Sequence, residues 1–223
     1  AIRNLQIDGN RANVPYNTRT GGLTDDLYQN CIRWDRVSNS RIENVYIHDC
    51  VFNGISVFNE SNNNVIRDNR IESIGKVDAC PAGGACTFNG IFLESGSDRN
   101  KVVNNRIDTI RDFGIWENAT GSESVDNLYE GNFINATTQD GVRIGNDDQA
   151  SNQDVLRPKI INNTISGVVG VTSQGIRVYY AGTGGNANDV VGAIIQVNHI
   201  NGNAQHGVLL SAVTAPSTSI RHV

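Results

Sequence analysis

Three carboxylates form the strongest candidate for acid/base chemistry in the sequence. Glu117 occupies a position that is apolar in the other repeats of the chain, which suits a raised pKa and therefore a general acid. Glu94 comes one repeat earlier, and Asp140 directly precedes a glycine. Carboxylates in neighbouring repeats, roughly 5 to 9 Å apart, span both separations used in glycoside hydrolysis. We therefore predict Glu117, Glu94 and Asp140 as catalytic residues. If the strand ends one residue early, Glu117 instead turns out to solvent.

Aromatic and arginine side chains occupy alternate positions in the same part of the sequence. Flat sugar faces stack on aromatic rings, and guanidinium groups bind carboxylates or sulfates in pairs of hydrogen bonds. We expect these side chains to face solvent and to bind an acidic polysaccharide. The predicted binding residues are Phe92, Trp116, Arg143, Arg177 and Tyr179. The alternative is that loops cover the rings, which then only pack.

A second candidate site is the segment from Tyr46 through His48 to Asp49. A Tyr or His can remove the proton at C5 of a uronate while an arginine neutralises its carboxylate, as lyase or epimerase chemistry requires. However, arginines and acids also alternate nearby, in the pattern of a solvated lattice of ion pairs. These are Arg70 with Glu72 and Arg106 with Asp108.

The elements that position these residues follow from an internal repeat. One column of isoleucines recurs at intervals of 24 to 40 residues, and an apolar column precedes it by five positions. The isoleucines are Ile7, Ile47, Ile71, Ile107, Ile134, Ile165 and Ile200. Asparagines stand two positions before most of them, namely Asn69, Asn105, Asn132, Asn163 and Asn198. A Gly followed by an apolar residue forms a further column from Gly54-Ile55 to Gly207-Val208, with Cys31-Ile32 in the first repeat.

Such columns predict stacked β-strand coils whose alternate side chains point inward. Asparagine tolerates left-handed bends and can bond to its counterpart in the next coil, which predicts an Asn ladder. The fold class is therefore all-β, a right-handed parallel β-helix (solenoid) of about seven to eight coils, with residues 1–223 as one domain. An antiparallel sandwich would not keep one residue type in register through so many repeats.

This pattern resembles the parallel β-helix repeat family over roughly residues 2 to 211. That family includes pectate-lyase-like and polygalacturonase-like enzymes, uronan epimerases and phage tailspikes. The resemblance implies the fold and leaves the chemistry open, because one scaffold supports many activities. The paired-Asp motif of polygalacturonases and the Asp-Pro-His stretch of mannuronan epimerases are absent from the sequence.

Insertions between the columns predict loops on the Gly-Ile sheet. They cover residues 11–30, 76–89, 145–154 and 181–190. Since loops on a rigid scaffold often carry binding sites, we expect them to wall a groove along that sheet.

Two of the four cysteines, Cys80 and Cys86, share one Gly/Pro-rich loop and are predicted to form a disulfide. That bond would suit an oxidising compartment. Cys31 and Cys50 occupy repeat positions and are interpreted as small core residues. No cysteine pair has zinc-ligand spacing near a histidine, so we predict neither metal nor cofactor.

Charge and hydropathy bound the partners. A formal net charge of −5 argues against nucleic acid, and the apolar runs are too short for membrane insertion. The chain begins Ala-Ile-Arg-Asn and contains no Met, so we interpret it as a mature product or a fragment. No capping helix is predicted, and a homo-oligomer, such as a trimer, would cover open helix ends.

The leading functional hypothesis is extracellular or virion-surface binding of a polysaccharide, with cleavage by a glycoside hydrolase or polysaccharide lyase. The alternative is a non-catalytic shaft or receptor-binding segment of a phage tailspike or surface adhesin.

Overall fold

A computed structural model describes residues 1–13, 30–75, 88–146, 153–181, 189–202, 205–213 and 220–221. These residues form β-strands joined by bends, and none of them lies in a helix. Accordingly, this part of the chain holds no apolar helix of membrane-spanning length. The predicted loops fall largely outside the described ranges, as do Cys80 and Cys86. The proposed groove walls and the second disulfide are therefore still predictions, and so are the single domain and the trimer.

The strands, in chain order, are β1 (Ile2–Asp8), β2 (Ile32–Asp35), β3 (Arg41–His48), β4 (Ile55–Phe58), β5 (Val65–Arg67), β6 (Arg70–Ile74), β7 (Ile91–Glu94), β8 (Lys101–Val103), β9 (Arg106–Ile110), β10 (Ile115–Asn118), β11 (Ser124–Val125), β12 (Leu128–Glu130), β13 (Phe133–Thr137), β14 (Val142–Asn146), β15 (Val155–Leu156), β16 (Lys159–Ile161), β17 (Thr164–Ser166), β18 (Gln174–Ala181), β19 (Val190–Val191), β20 (Ile194–Gln196), β21 (His199–Asn201), β22 (His206–Val213) and β23 (Ile220–Arg221).

The strands form three parallel sheets, each built from corresponding strands of successive coils. The Gly-Ile sheet runs β2-β4-β7-β10-β14-β18-β22, and a short sheet runs β11-β15-β19-β23. The largest sheet, here called the forked sheet, starts with the long strands β1 and β3. From β5 and β6 onward, two shorter strands per coil replace each long one. This arrangement is the predicted parallel β-helix.

The predicted columns are in register throughout. The column isoleucines pair from Ile7 to Ile200, one per coil, and the five central ones are fully buried. The Gly-Ile column pairs in the same way from Ile32 to Val208. Stacking like residues buries the apolar side chains in one continuous core. The predicted isoleucine stack is thus confirmed.

The fork lies where the asparagine ladder begins. Each ladder Asn side chain donates to the Oδ1 atom of the next one at 2.9–3.0 Å, from Asn69 through Asn198. Each also donates to a backbone carbonyl one coil back, as Asn105 does to Ile66. The first two coils carry Leu5 and Val45 at this position instead, and there the strand continues unbroken. The side-chain bonds satisfy backbone groups that the split strand leaves unpaired.

The interpretation of Cys31 and Cys50 as unpaired core residues is wrong, because the two form a disulfide. Their Cα atoms are 5.7 Å apart, a normal separation for a disulfide. Cys31 directly precedes β2, whereas Cys50 follows the bend at the end of β3. The bond therefore ties the Gly-Ile sheet to the end of the strand that carries Tyr46 and His48.

Candidate functional site

The outer face of β3 carries a polar cluster built by strand alternation. Val45 and Ile47 point into the core and are almost fully buried, so Tyr46 and His48 between and beyond them point outward. Asp49 follows at a left-handed bend, with φ at 54°. Neighbouring coils place further polar residues in register: Gln6 and Arg70 beside Tyr46, and Asp8 and Glu72 beside His48. We call Gln6, Tyr46, His48, Asp49, Arg70 and Glu72 the β3 cluster.

His48 is held at both ring nitrogens. Its Nδ1 atom lies 2.8 Å from a carboxylate oxygen of Asp49, and its Nε2 atom lies 2.7 Å from the amide nitrogen of Gln6. A carboxylate only accepts and an amide nitrogen only donates, so the neutral ring carries its proton on Nδ1. The side chain is 13% exposed. Because Asp49 accepts the Nδ1 proton, the lone pair on Nε2 is the position of the ring that can accept a proton.

Tyr46 shares a carboxylate with Arg70. The Tyr46 hydroxyl donates a short hydrogen bond to Glu72, and Arg70 donates to the other carboxylate oxygen at 2.7 and 2.9 Å. The hydrogen bond to Glu72 raises the pKa of Tyr46, which keeps the phenol protonated. Partial burial alone would raise the pKa of Glu72, but the hydrogen bonds from Tyr46 and Arg70 together lower it. Glu72 is therefore an ionised acceptor.

Stacking and an open cavity complete the cluster. The rings of Tyr46 and His48 stack with centroids 4.5 Å apart, and the Arg70 guanidinium lies 4.8 Å from the Tyr46 ring. A cavity of about 430 Å³ lies against Tyr46 and Arg70, in the crease formed by left-handed bends of three successive coils. Its lining is Asn4, Leu5, Gln6, Asn44, Val45, Tyr46, Asp68 and Arg70. The cluster thus borders a space that could hold a ligand.

The ligand atoms of Asp8, His48 and Asp49 lie within 4.8 Å of one another, as metal binding would require. Each is already engaged, because Asp8 accepts from the backbone amide of Asn10 at 2.7 Å and Asp49 pairs with Arg11 at 3.2 Å. The Arg11 cation takes the place that a metal charge would fill. These three residues are better described as a hydrogen-bonded brace for His48.

Glu117, the first of the predicted catalytic residues, points into the core. It is 1% exposed and pairs in register with the core residues Leu93 and Ile144. The alternative, in which Glu117 turns out to solvent, is therefore wrong. Its carboxylate accepts from Asn127 and Tyr129, each at 2.8 Å, and from Ser124. Burial raises the pKa of Glu117 despite these hydrogen bonds. In this position it cannot contact a sugar on the outer surface.

The other two predicted acids are placed differently. Asp140 is 2% exposed, and its Oδ1 atom accepts the backbone amide of Gln174 at 2.8 Å, so it fixes a bend between coils. Glu94 pairs with Asn118 on the outward column of the Gly-Ile sheet and is partly exposed. Glu94 and Glu117 therefore lie on opposite sides of the same sheet and cannot flank one glycosidic bond. The catalytic roles of Glu94, Glu117 and Asp140 are still predictions, and the structure does not bring the three carboxylates together in one site.

The expectation that Phe92 and Trp116 face solvent is wrong, because each is only 5% exposed. They point away from the core and pack with Phe58 and Phe113 in a second apolar cluster. Phe92 and Trp116 stack at 4.7 Å, and Phe113 lies 5.1 Å from Trp116. These contacts match the packing alternative. Arg143, Arg177 and Tyr179 lie on the same face and are partly exposed.

Sequence reasoning named Tyr46, His48 and Asp49 but missed what connects them to other coils. Gln6 and Glu72 complete the cluster, and both were within reach of the column alignment, since each lies in register with β3. Interpreting Arg70 and Glu72 as a solvated ion pair concealed the second bond of Glu72, to Tyr46.

Comparisons with known proteins agree with this architecture. Residues 2–183 match the protein family described as right handed beta helix region. Solved structures with a similar fold include the periplasmic alginate epimerase AlgG, in a double-mutant form, at 16% identity and a TM-score of 0.51, covering 82% of this chain and 43% of that one. No curated protein sequence matches significantly.

Two further solved structures are similar. The Azotobacter vinelandii mannuronan C-5 epimerase AlgE4 A-module has 17% identity and a TM-score of 0.46, covering 86% of this chain and 54% of that one. A DFA-IIIase from Arthrobacter chlorophenolicus A6 in complex with DFA-III has 13% identity and a TM-score of 0.49, covering 86% and 51%. The chain thus spans about half the length of these proteins.

Proposed function

Because the chain belongs to the right-handed β-helix family, whose scaffold serves many activities, we propose a function from its site: it binds an acidic polysaccharide at the β3 cluster and cleaves it by β-elimination. The observation that carries this proposal is the pairing of a protonated tyrosine, which lines an open cavity, with a histidine that stacks on it and is oriented by Asp49. Elimination next to a uronate carboxylate needs one base and one acid, and these two side chains match those roles.

The reaction assigns one task to each residue. The substrate displaces the Gln6 amide from the Nε2 atom of His48, which accepts the proton from C5. The electrons of that C–H bond form the double bond between C4 and C5. The bond from C4 to the leaving oxygen breaks, and this oxygen takes the proton of the Tyr46 hydroxyl. Arg70 neutralises the uronate carboxylate, which stabilises the negative charge that develops as the C5 proton leaves.

The common orientation of Tyr46 and His48 favours elimination over epimerisation. Both project from β3 to the same side, with ring centroids 4.5 Å apart. Epimerisation delivers a proton to the ring face opposite the one from which it was removed, so its acid and base flank the sugar. In a syn elimination the base and the acid act from one face, which is the arrangement of this pair.

The test is ultraviolet absorbance of unsaturated uronate products, with alginate and polygalacturonate as substrates. His48→Gln and Tyr46→Phe should each lower turnover by about 100-fold or more, as for loss of a general base or acid. Arg106→Gln is the matched control, because Arg106 also stacks on an aromatic ring, Phe133, at 4.8 Å and pairs with an acid at 3.2 Å. Its turnover should stay at the wild-type level. Unsaturated products made equally well by the His48 and Tyr46 variants would contradict the proposal.

A second candidate function is binding without turnover, as in a shaft or receptor-binding segment. It is supported by the ion pairs that recur along the outer surface away from His48, such as Arg67 with Glu43 and Arg157 with Asp126. This function predicts glycan binding by the wild type with no unsaturated product, no reducing ends and no exchange of the C5 proton with solvent.

We further propose an oxidising, extracytoplasmic location, and the Cys31–Cys50 disulfide supports it. Alkylation of cysteines in freshly lysed cells, followed by mass spectrometry, tests this. Free thiols at both positions in protein from its natural host would contradict it.

A further inference from the structure

Two arginines lie side by side on the outer face of the Gly-Ile sheet. Arg143 on β14 pairs in register with Arg177 on β18, so both project in the same direction from adjacent coils. Adjacent strands are about 4.8 Å apart. Two cations on neighbouring strands repel each other, and an anion that binds both relieves the repulsion. The β3 cluster lies on a different sheet, so this pair forms a separate place on the molecule.

Aromatic rings support both guanidinium groups. The Arg143 guanidinium lies 4.7 Å from the centroids of Phe113 and Tyr179 and 5.5 Å from that of Trp116, and the Arg177 guanidinium lies 4.1 Å from the Tyr179 ring. A ring attracts a cation through its quadrupole but brings no negative charge. It therefore fixes the orientation of the guanidinium plane without neutralising its charge.

Arg177 has bonding capacity that the described protein does not use. Its Nε atom is buried and has no hydrogen-bond partner, and Arg177 forms no ion pair with any residue that the structure describes. Arg67 and Arg157 differ, since their Nε atoms donate to Glu43 at 3.0 Å and to Asp126 at 2.8 Å. A buried donor without an acceptor is costly, and an anion oxygen would remove that cost.

The neighbouring outward column contains a glycine beside this pair. Gly145 stands in register between Asn118 and Tyr179, so no side chain fills that position. A Cβ atom on Gly145 would collide with the backbone carbonyl of Tyr179, which excludes other residues without a backbone shift. Gly145 is itself buried, so the backbones of β14 and β18 are in close contact at this step of the sheet.

We propose that Arg143, Arg177 and Tyr179 form an anion-binding site for the carboxylate or sulfate groups of an acidic glycan. Each planar guanidinium can donate two parallel hydrogen bonds to such a group, and Tyr179 holds both cations in place. The site goes beyond the elimination proposed for the β3 cluster and does not depend on it. It holds a polymer that crosses successive coils of the Gly-Ile sheet.

The experiment is calorimetric titration of the full chain with three probes: alginate, dextran sulfate and neutral dextran. Arg177→Gln should weaken binding of at least one charged probe by about ten-fold or more, in line with loss of a charge-assisted hydrogen bond. Arg177→Lys keeps the charge but not the planar fork, so it should recover only part of the affinity. Arg157→Gln is the control, because Arg157 is paired with Asp126 on another sheet, and it should bind as the wild type does.

The outcomes separate this site from the β3 cluster. Preference for alginate identifies carboxylate as the ligand group, and preference for dextran sulfate identifies sulfate. Unchanged affinity in Arg177→Gln, with unfolding curves that show an intact fold, would overturn the anion site whatever the activity of the β3 cluster. Equal binding of neutral dextran by the wild type would also overturn it.

Discussion

Among the residues that the structure describes, two tyrosine–glutamate pairs can be compared, one on the outer surface of the coils and one in their core. On the outside, Tyr46 donates to Glu72 within the β3 cluster. On the inside, Tyr129 donates to Glu117 at 2.8 Å, with both side chains almost fully buried. Partial burial of Glu72 is outweighed by hydrogen bonds from Tyr46 and Arg70, and its pKa falls. Glu117 has only neutral donors around it, and burial raises its pKa.

The comparison shows that the role of a tyrosine–glutamate pair depends on whether its strand positions point outward or inward, and not on the two residue types. An outward column exposes the carboxylate to arginines of adjacent coils and to ligands. An inward column places the same carboxylate among aliphatic side chains, where its hydrogen bonds must come from its neighbours and burial raises its pKa. Inside, the pair therefore determines stability, whereas outside it is available for chemistry.

The largest effect should come from removing the inner acid. Glu117→Ala leaves the hydroxyl of Tyr129 and the amide of Asn127 without this acceptor inside the core, so it should lower the free energy of unfolding by about 3 to 5 kcal/mol. Glu72→Ala removes an acceptor at the surface and should cost under about 1 kcal/mol. Urea unfolding of both variants measures the difference. Equal losses would mean that inward and outward placement do not distinguish the two pairs.

The disulfide should have the next largest effect. Replacing Cys31 and Cys50 together by Ala should cost about 3 kcal/mol, since the bond closes a loop with a sequence separation of 19. Cys50 directly follows Asp49, so we expect reductant to impair the outer site as well as to lower the melting temperature of the wild type. The double variant should not respond to reductant through this bond, and a melting temperature equal to that of oxidised wild type would contradict the structural role.

The two tyrosines should separate stability from activity. Tyr129→Phe leaves the packing intact but removes the donor to Glu117, which should cost about 1 to 2 kcal/mol without a direct effect on catalysis. Tyr46→Phe should change stability by under about 1 kcal/mol and abolish turnover. Melting curves and product absorbance on the same preparations test both. A Tyr129→Phe variant that is stable but inactive would contradict the proposal, because it would link turnover to the core residue and not to Tyr46 on the outer surface.

The smallest effect should be a pH dependence of opposite sign for the two acids. Glu117 has a raised folded pKa, so its contribution to stability is complete below the ordinary value of 4.5 and is lost as pH rises through the folded pKa. The slope is at most about 1.4 kcal/mol per pH unit. Glu72 has a lowered pKa, so its contribution is lost as pH falls.

The isosteric variant Glu117→Gln isolates the inner contribution. The amide retains both an acceptor and a donor, so it should cost under about 1 kcal/mol at acidic pH, where the wild-type acid is neutral. Unfolding curves from about pH 4 to pH 8 should converge as the wild type loses its advantage. A wild type that gains stability over this variant with rising pH would show that Glu117 is ionised in the folded state.

Much of the fold followed from the sequence because a solenoid repeats its constraints. Ile47 and Ile107 occupy one column since each coil must place an apolar side chain at the same inward position. The environment of Trp116 did not follow, because alternation tells which side of a strand a residue faces and not whether neighbours cover it. The Cys31–Cys50 disulfide was not predicted, because the columns show which residues stack between coils. They do not show how the chain runs between two different sheets and brings these cysteines together.

The candidate site was harder to predict for a related reason. Tyr46 and His48 were visible as reactive types, but their bonds to Glu72 and Gln6 cross between coils whose lengths differ. Charge alternation alone suggested a passive surface at Arg70 and Glu72. The hydrogen bond that connects this pair to Tyr46 distinguishes it from the similar pair of Arg106 and Asp108.

The in-register asparagine ladder also bears on how such a chain can change length during evolution. Each ladder residue bonds to its counterpart one coil away, and every such step has the same chemistry from Asn69 to Asn198. Duplication or deletion of one whole coil within this stretch would therefore join surfaces that already fit. The first two coils lack the ladder and carry four of the six residues of the β3 cluster, namely Gln6, Tyr46, His48 and Asp49, so they have no interchangeable copy. The number of coils can therefore change within the ladder, whereas the coils that carry Tyr46 and His48 cannot be replaced by a copy of another coil.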